Sequence, residues 1–169
     1  MRKVIILPLA IVVAGIFIAA TTSQSFAQEP QPRKIEIKMF EVDADHFRFD
    51  PAGIHLKLDE PVELVFVNTG TRTNEFASPL FALLDEIVME SAERCPGRDP
   101  GSLVPCIEIK AQSLREVEVR PGKSVSLKFT PAGDWFEAVE LGESLRFFLG
   151  CFVTGHLERG MRGVIVIEQ

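Results

Sequence analysis

Most of this chain is written with a period of two, and that pattern admits few folds. From Lys34 onward, Ile35, Ile37 and Met39 alternate with Glu36, Lys38 and Phe40, the mark of a strand buried on one face. Phe47 and Phe49 continue the alternation, the turn Asp50-Pro-Ala-Gly53 breaks it, and Ile54, Leu56 and Leu58 resume it. After Asp59-Glu-Pro61 comes VELVFVN, from Val62 to Asn68, followed by the turn chemistry of Asn68-Thr-Gly70. Further strands are expected at Leu114 to Val119, Val125 to Thr130, Leu145 to Cys151 and Val164 to Ile167. Short strands joined by turns bury one face each only by packing sheet on sheet, so the expectation is an antiparallel sandwich or Greek-key barrel.

One segment departs from the rhythm. Between Pro79 and Arg94 the apolar residues fall at 80, 83, 84, 87 and 88, the spacing of a helix, with Ser78 as N-cap and Pro79 in the first turn. This predicts a helix inserted into the β domain, within an insertion at about 78–112 that also carries the turn-rich stretch CPGRDPGSLVPC. The acidic stretch from Pro131 to Ser144, with the sole tryptophan, Trp135, fits neither period.

The first 27 residues read as an export leader rather than as part of the fold. Arg2 and Lys3 precede an apolar run from Val4 to Ala20, and Ser25 and Ala27 are small residues at the spacing signal peptidase requires, which predicts cleavage before Gln28. The alternative is an uncleaved anchor, against which Pro8 and Gly15 interrupt the run. Both readings place the domain at 34–169 in the periplasm or otherwise outside the cytoplasm, behind a flexible lead-in at 28–33. The formal charge is −6, and loss of the basic leader makes it more negative. With no basic run and no aromatic-basic interleaving, nucleic acid is not an expected partner, and the acidic surface favours a basic one.

The chain has three cysteines, so in an oxidising compartment one is left over. A bridge between Cys95 and Cys106 would close a short loop and contribute about 3 kcal/mol on chain-entropy grounds. It would leave Cys151 as a free thiol, either inert and buried or held by a metal. The residues 145, 147, 149 and 151 share one strand face, so Cys151 points toward the core at the strand's end. It also opens an evenly spaced array, C-x4-H-x4-M, formed by Cys151, His156 and Met161 with glycines at 150, 155, 160 and 163. Thiolate, imidazole and thioether are soft or borderline donors, the set that suits copper and, less well, zinc.

Phe49-x-Pro51, VELVFVN, VRPGKSVSLKF and GCFVTGHLERGMRGVIVI together closely resemble the cupredoxins, the blue-copper proteins. The resemblance implies a Greek-key β-sandwich holding one copper ion at one end. It makes Cys151 the thiolate ligand, His156 the imidazole of the C-terminal loop and Met161 the weak axial thioether. It also implies a docking surface for a redox or copper-handling protein, framed by Phe152, Val153 and Leu157 around the edge of His156. One position departs from the family. Its other ligand histidine should follow the turn after the third strand, and here the chain reads Asn74-Glu-Phe76, with Asn74 in the histidine's place. An amide oxygen is a hard, weak donor that does not replace imidazole for Cu(II), and strand alternation turns Glu75 away from the face that Asn74 occupies.

His46, in a polar turn, and His55, out of phase with its apolar neighbours, are expected to face solvent. Met39 and Met89 are expected in the core. No nucleophile with a paired base is evident, so the expectation is an electron carrier rather than an enzyme. The alternatives are a protein that holds, delivers or senses Cu(I), and a metal-free binding module.

Overall fold

The structure, a computed structural model, describes residues 31–96, 102–105 and 108–169. The predicted leader at 1–27 lies outside the described residues. So does Cys106, and with it the expected bridge to Cys95. Among the described residues no helix is long and apolar enough to cross a membrane.

The strands follow one another as β1 (Arg33–Glu41), β2 (Phe47–Asp50), β3 (Gly53–Lys57), β4 (Val62–Asn68), β5 (Asn74–Ala77), β6 (Ile87–Ser91), β7 (Arg94–Pro96) and β8 (Leu103–Pro105). They continue as β9 (Glu108–Ala111), β10 (Glu116–Val119), β11 (Ser124–Phe129), β12 (Leu145–Gly150) and β13 (Arg162–Glu168). One sheet runs β2-β1-β4-β11-β6-β9 and the other β10-β5-β12-β13-β3, with β7 and β8 forming a separate hairpin. The sheets are mixed rather than wholly antiparallel, because β1 lies parallel to β4 and β13 parallel to β3. Parallel neighbours require crossovers, and here those crossovers carry the chain from one sheet to the other.

The alternation in the sequence becomes the two inner faces. Ile37 and Met39 of β1, Leu64 and Phe66 of β4 and Leu127 of β11 are fully buried. Opposite them stand Phe76 of β5, Leu149 of β12 and Ile165 and Ile167 of β13. The Phe66 and Phe76 rings stack at 3.5 Å between centroids and tie the sheets together.

The helix expected from Pro79 to Arg94 does not form. Only a 3-10 turn, Pro79–Ala82, exists there, with the Ser78 hydroxyl accepting from the Leu80 N–H at 3.4 Å. The chain then extends into β6, paired on one side with β11 and on the other with β9. The apolar spacing served both outcomes: Leu80, Leu84 and Ile87, three of the residues at helix spacing, are buried in the turn and strand as well. β-Branched Ile87 and Val88, the latter with ladder partners on both flanks, decide for the strand. Among the described residues the one α-helical segment, α1 (Glu137–Glu140), is a single turn in the stretch that fitted neither period, and it buries Val139.

Candidate metal centre

Where β12 ends, Cys151 sits fully buried, continuing the inward face of Leu149. The loop 151–161 then doubles back on itself. The Cys151 N–H donates to the Met161 carbonyl at 3.1 Å, and the Met161 N–H donates to the His156 carbonyl at 3.0 Å. Two glycines make this turning possible, Gly155 at φ +83° and Gly160 at φ +98°, in the left-handed region where a side chain is strained. Cys151, His156 and Met161 are thereby brought together inside one end of the sandwich, with Met161 at 0% exposure and His156 at 3%.

The sulfur and the imidazole face each other, His156 Nδ1 lying 3.4 Å from Cys151 Sγ. The sulfur also accepts the backbone N–H of Glu75 at 3.4 Å. That bond ties the thiol to β5, the neighbour of β12 in the second sheet. Burial pushes the Cys151 thiol up from its ordinary value, while the Glu75 and Val153 N–H groups act against it by favouring the thiolate. For His156 burial is again the main cause, lowering its pKa, and the Arg72 and Arg159 guanidinium groups add to it. A neutral imidazole is the form that ligates a metal.

Asn74 stands on the same inward face of β5 as Phe76 and is fully buried, whereas Glu75 points outward as expected. Burial and the neighbouring Glu116 and Glu118 raise the Glu75 carboxyl. The orientation of the Asn74 amide is set by Asn68 at the end of β4. Asn68 Nδ2 donates to the carbonyls of Val119 at 2.7 Å and Arg72 at 2.8 Å, which leaves Asn68 Oδ1 as acceptor for Gly70 N at 3.0 Å and Asn74 Nδ2 at 3.0 Å. Flipping Asn74 would set oxygen against oxygen, so its N–H2 faces Asn68 and its Oδ1 faces the opposite way. Among the described residues, Asn74 Oδ1 is the buried side-chain polar atom without a hydrogen-bond partner. Such an atom is costly unless something coordinates it.

The sequence did not reveal two features. One is the Asn68 clamp, since Asn68-Thr-Gly70 read simply as a turn; a polar residue on the buried phase of VELVFVN was the available signal. The other is the cover over His156. Phe47 stacks on the imidazole at 4.0 Å and 19°, and the Arg72 guanidinium lies over Phe47, 5.5 Å from its centroid. The Glu41 carboxylate braces that arginine's loop by accepting the N–H groups of Thr71 and Arg72, each at 2.9 Å. Of the residues expected to frame a docking surface around His156, Val153 and Leu157 are half-exposed and Phe152 is well exposed, while His156 itself is covered.

The other histidines stay apart, His46 exposed beside Asp43 at 2.8 Å and His55 exposed beside Glu168 at 3.5 Å. Met39 is in the core and Met89 is packed against it. Among the described residues no three His, Cys, Asp or Glu side chains converge, so a metal here would depend on the thioether and the amide. The three loop donors, thiol, neutral imidazole and thioether, fit copper in its softer state, and the orphaned amide oxygen of Asn74 adds at most a weak fourth donor.

No family model and no curated protein matches the sequence. Solved structures match the fold. The multicopper oxidase from Campylobacter jejuni superposes with a TM-score of 0.57 over 85% of this chain and 32% of its own length, at 13% identity. The fold is cupredoxin-like. A multicopper oxidase from Aquifex aeolicus (TM-score 0.54, 12% identity) is covered over 30% of its length by 82% of this chain. For a Cu-containing nitrite reductase from Thermus scotoductus (TM-score 0.52, 15% identity) the shares are 31% and 80%. This cupredoxin-like chain thus spans about a third of the length of these copper proteins.

Proposed function

We propose that this is an exported copper-binding protein that passes single electrons to a partner protein and is not itself an enzyme. The observation that carries the reading is Cys151 Sγ lying 3.4 Å from His156 Nδ1, both buried on one loop whose backbone ties them to buried Met161, with a buried, unpartnered Oδ1 of Asn74 on the neighbouring strand β5. Copper supplies a one-electron couple when bound, and the similarity of fold to multicopper oxidases and a Cu-containing nitrite reductase supports copper as the metal. The chain's own residues do the rest. Burial keeps His156 neutral and able to ligate; at Cys151 burial raises the thiol, and the Glu75 and Val153 N–H groups only partly offset this in favour of the thiolate that a metal would take. The clamp through Asn68 holds Asn74 ready with an oxygen rather than an imidazole, which favours Cu(I) over Cu(II) and so a high reduction potential.

That same missing imidazole favours a second reading, a protein that holds or delivers Cu(I). Burial of His156 beneath Phe47 favours the carrier, because delivery requires an accessible metal. Copper titration followed by visible spectroscopy and voltammetry separates them. A thiolate charge-transfer band in the oxidised form with a reversible couple supports the carrier. A tight, colourless Cu(I) form without a reversible couple supports the second reading, and failure to bind either oxidation state refutes both.

A further inference from the structure

With His156 covered, exposed surface beside Cys151 in the chain lies elsewhere. Phe152 follows Cys151 directly and is 54% exposed, and Phe148 on β12 is 42% exposed. Their rings meet edge-to-face at 6.3 Å above Gly150. A Cβ at Gly150 would overlap the Phe148 ring and press on Phe152, so the absence of a side chain is what lets this pair close over the strand. The two rings form one wall of a groove of about 300 Å³, completed by Ala77, Pro79, Leu114 and, at one end, Arg115. Two exposed aromatic rings beside a predominantly apolar groove are unusual on a monomeric surface.

The groove has an acidic flank. In the β5–β10 ladder Glu75 stands opposite Glu118, and Glu116 stands opposite Ala77, which itself lines the groove. Among the described residues none of these three carboxylates is in an ion pair, and the chain as a whole carries a charge of −6. Like charges directly opposite across a ladder are unfavourable, and a cationic counterpart relieves them.

We infer that the Phe148–Phe152 groove with its Glu75, Glu116 and Glu118 flank is the docking surface for a protein partner that presents an apolar side chain ringed by lysine or arginine. Its purpose, close approach to Cys151, rests on the electron-transfer reading, but the surface itself does not require copper. The groove takes the apolar anchor, and the carboxylates steer and orient the partner.

The experiment maps binding of a basic haem protein, mitochondrial cytochrome c, onto the 15N-labelled, metal-free protein by amide shift perturbation. The shifts are expected at Glu75, Ala77, Leu114, Glu116, Glu118, Phe148 and Phe152, and they should fade as salt is raised. Phe152→Ser should weaken binding at least about tenfold, and Glu118→Lys should weaken it while reducing the salt dependence. Shifts centred on 44–47 and 153–159, an absence of salt-sensitive shifts, or shifts that appear on concentrating the protein alone would each overturn the proposal. Because the map is made without metal, failure of copper binding leaves it standing, and failure of the map leaves the copper titration untouched.

Discussion

Replacing Asn74 with leucine should have opposite effects on two quantities that most site mutations lower together. Asn74 is fully buried, its Nδ2 makes one hydrogen bond to Asn68 at 3.0 Å, and its Oδ1 makes none. An unsatisfied buried acceptor costs about 1–3 kcal/mol, and a satisfied hydrogen bond contributes roughly 1 kcal/mol net. Leucine removes both. Asn68 Oδ1 keeps the Gly70 N–H and is not orphaned in turn. The metal-free protein should therefore gain about 0–2 kcal/mol in urea denaturation. Cu(I) affinity, measured by competition with a chromophoric chelator, should fall roughly ten- to hundredfold, because the oxygen's cost is no longer recovered on coordination. Asn74→Ala removes the same oxygen without added bulk, and it should weaken Cu(I) to the same degree. If Asn74→Leu destabilises the metal-free protein by more than about 2 kcal/mol while Cu(I) affinity is unchanged, the amide oxygen is satisfied within the fold and plays no part at the site.

Two further perturbations probe the same centre. Asn74→His should intensify the thiolate-to-copper band and lower the reduction potential, since Cu(II) gains a nitrogen donor, whereas Glu75→His on the outward face of β5 should do neither; a spectrum altered only by Glu75→His would mean that β5 is misread. In the metal-free protein His156 has a pKa held below its ordinary 6.5, mainly by burial. The unfolded chain then binds the proton first, so this contribution to stability is complete above 6.5 and is lost as pH falls below it, until His156 itself titrates. The urea midpoint should decline on acidification through that window, and His156→Gln should flatten the decline; an unchanged slope in the variant would assign it to other groups.

The sandwich was legible because its code is local. Alternation along Ile35-Ile37-Met39 or Val62-Leu64-Phe66 states which face is buried, whatever the partner sheet. Cys151, His156 and Met161 were legible for a related reason: all three lie on one loop whose glycines supply the left-handed turns at Gly155 and Gly160. The segment from Pro79 failed because its apolar spacing satisfies a turn plus a strand as well as a helix. What decided it was pairing with β11 and β9, which is remote in sequence. The cover over His156 was not legible for the same reason, since nothing near it in the chain announces that Phe47 will lie across its ring.

Those remote contacts share a physical consequence. Asn68, Asn74 and Phe47 come from β4, β5 and β2, while the donors of loop 151–161 follow β12. The loop supplies ligands cheaply, and the two sheets decide how those ligands behave. One sheet contributes the ring that covers His156, and Asn68 at its end fixes the orientation of the buried Asn74 amide. On the copper reading, local sequence supplies the donors, whereas the choice between oxidation states and the face open to a partner depend on packing between the sheets. A change at Asn68 or Phe47 should accordingly alter reduction potential and accessibility without touching any of the loop donors, although neither residue would be singled out by inspecting the C-terminal motif alone.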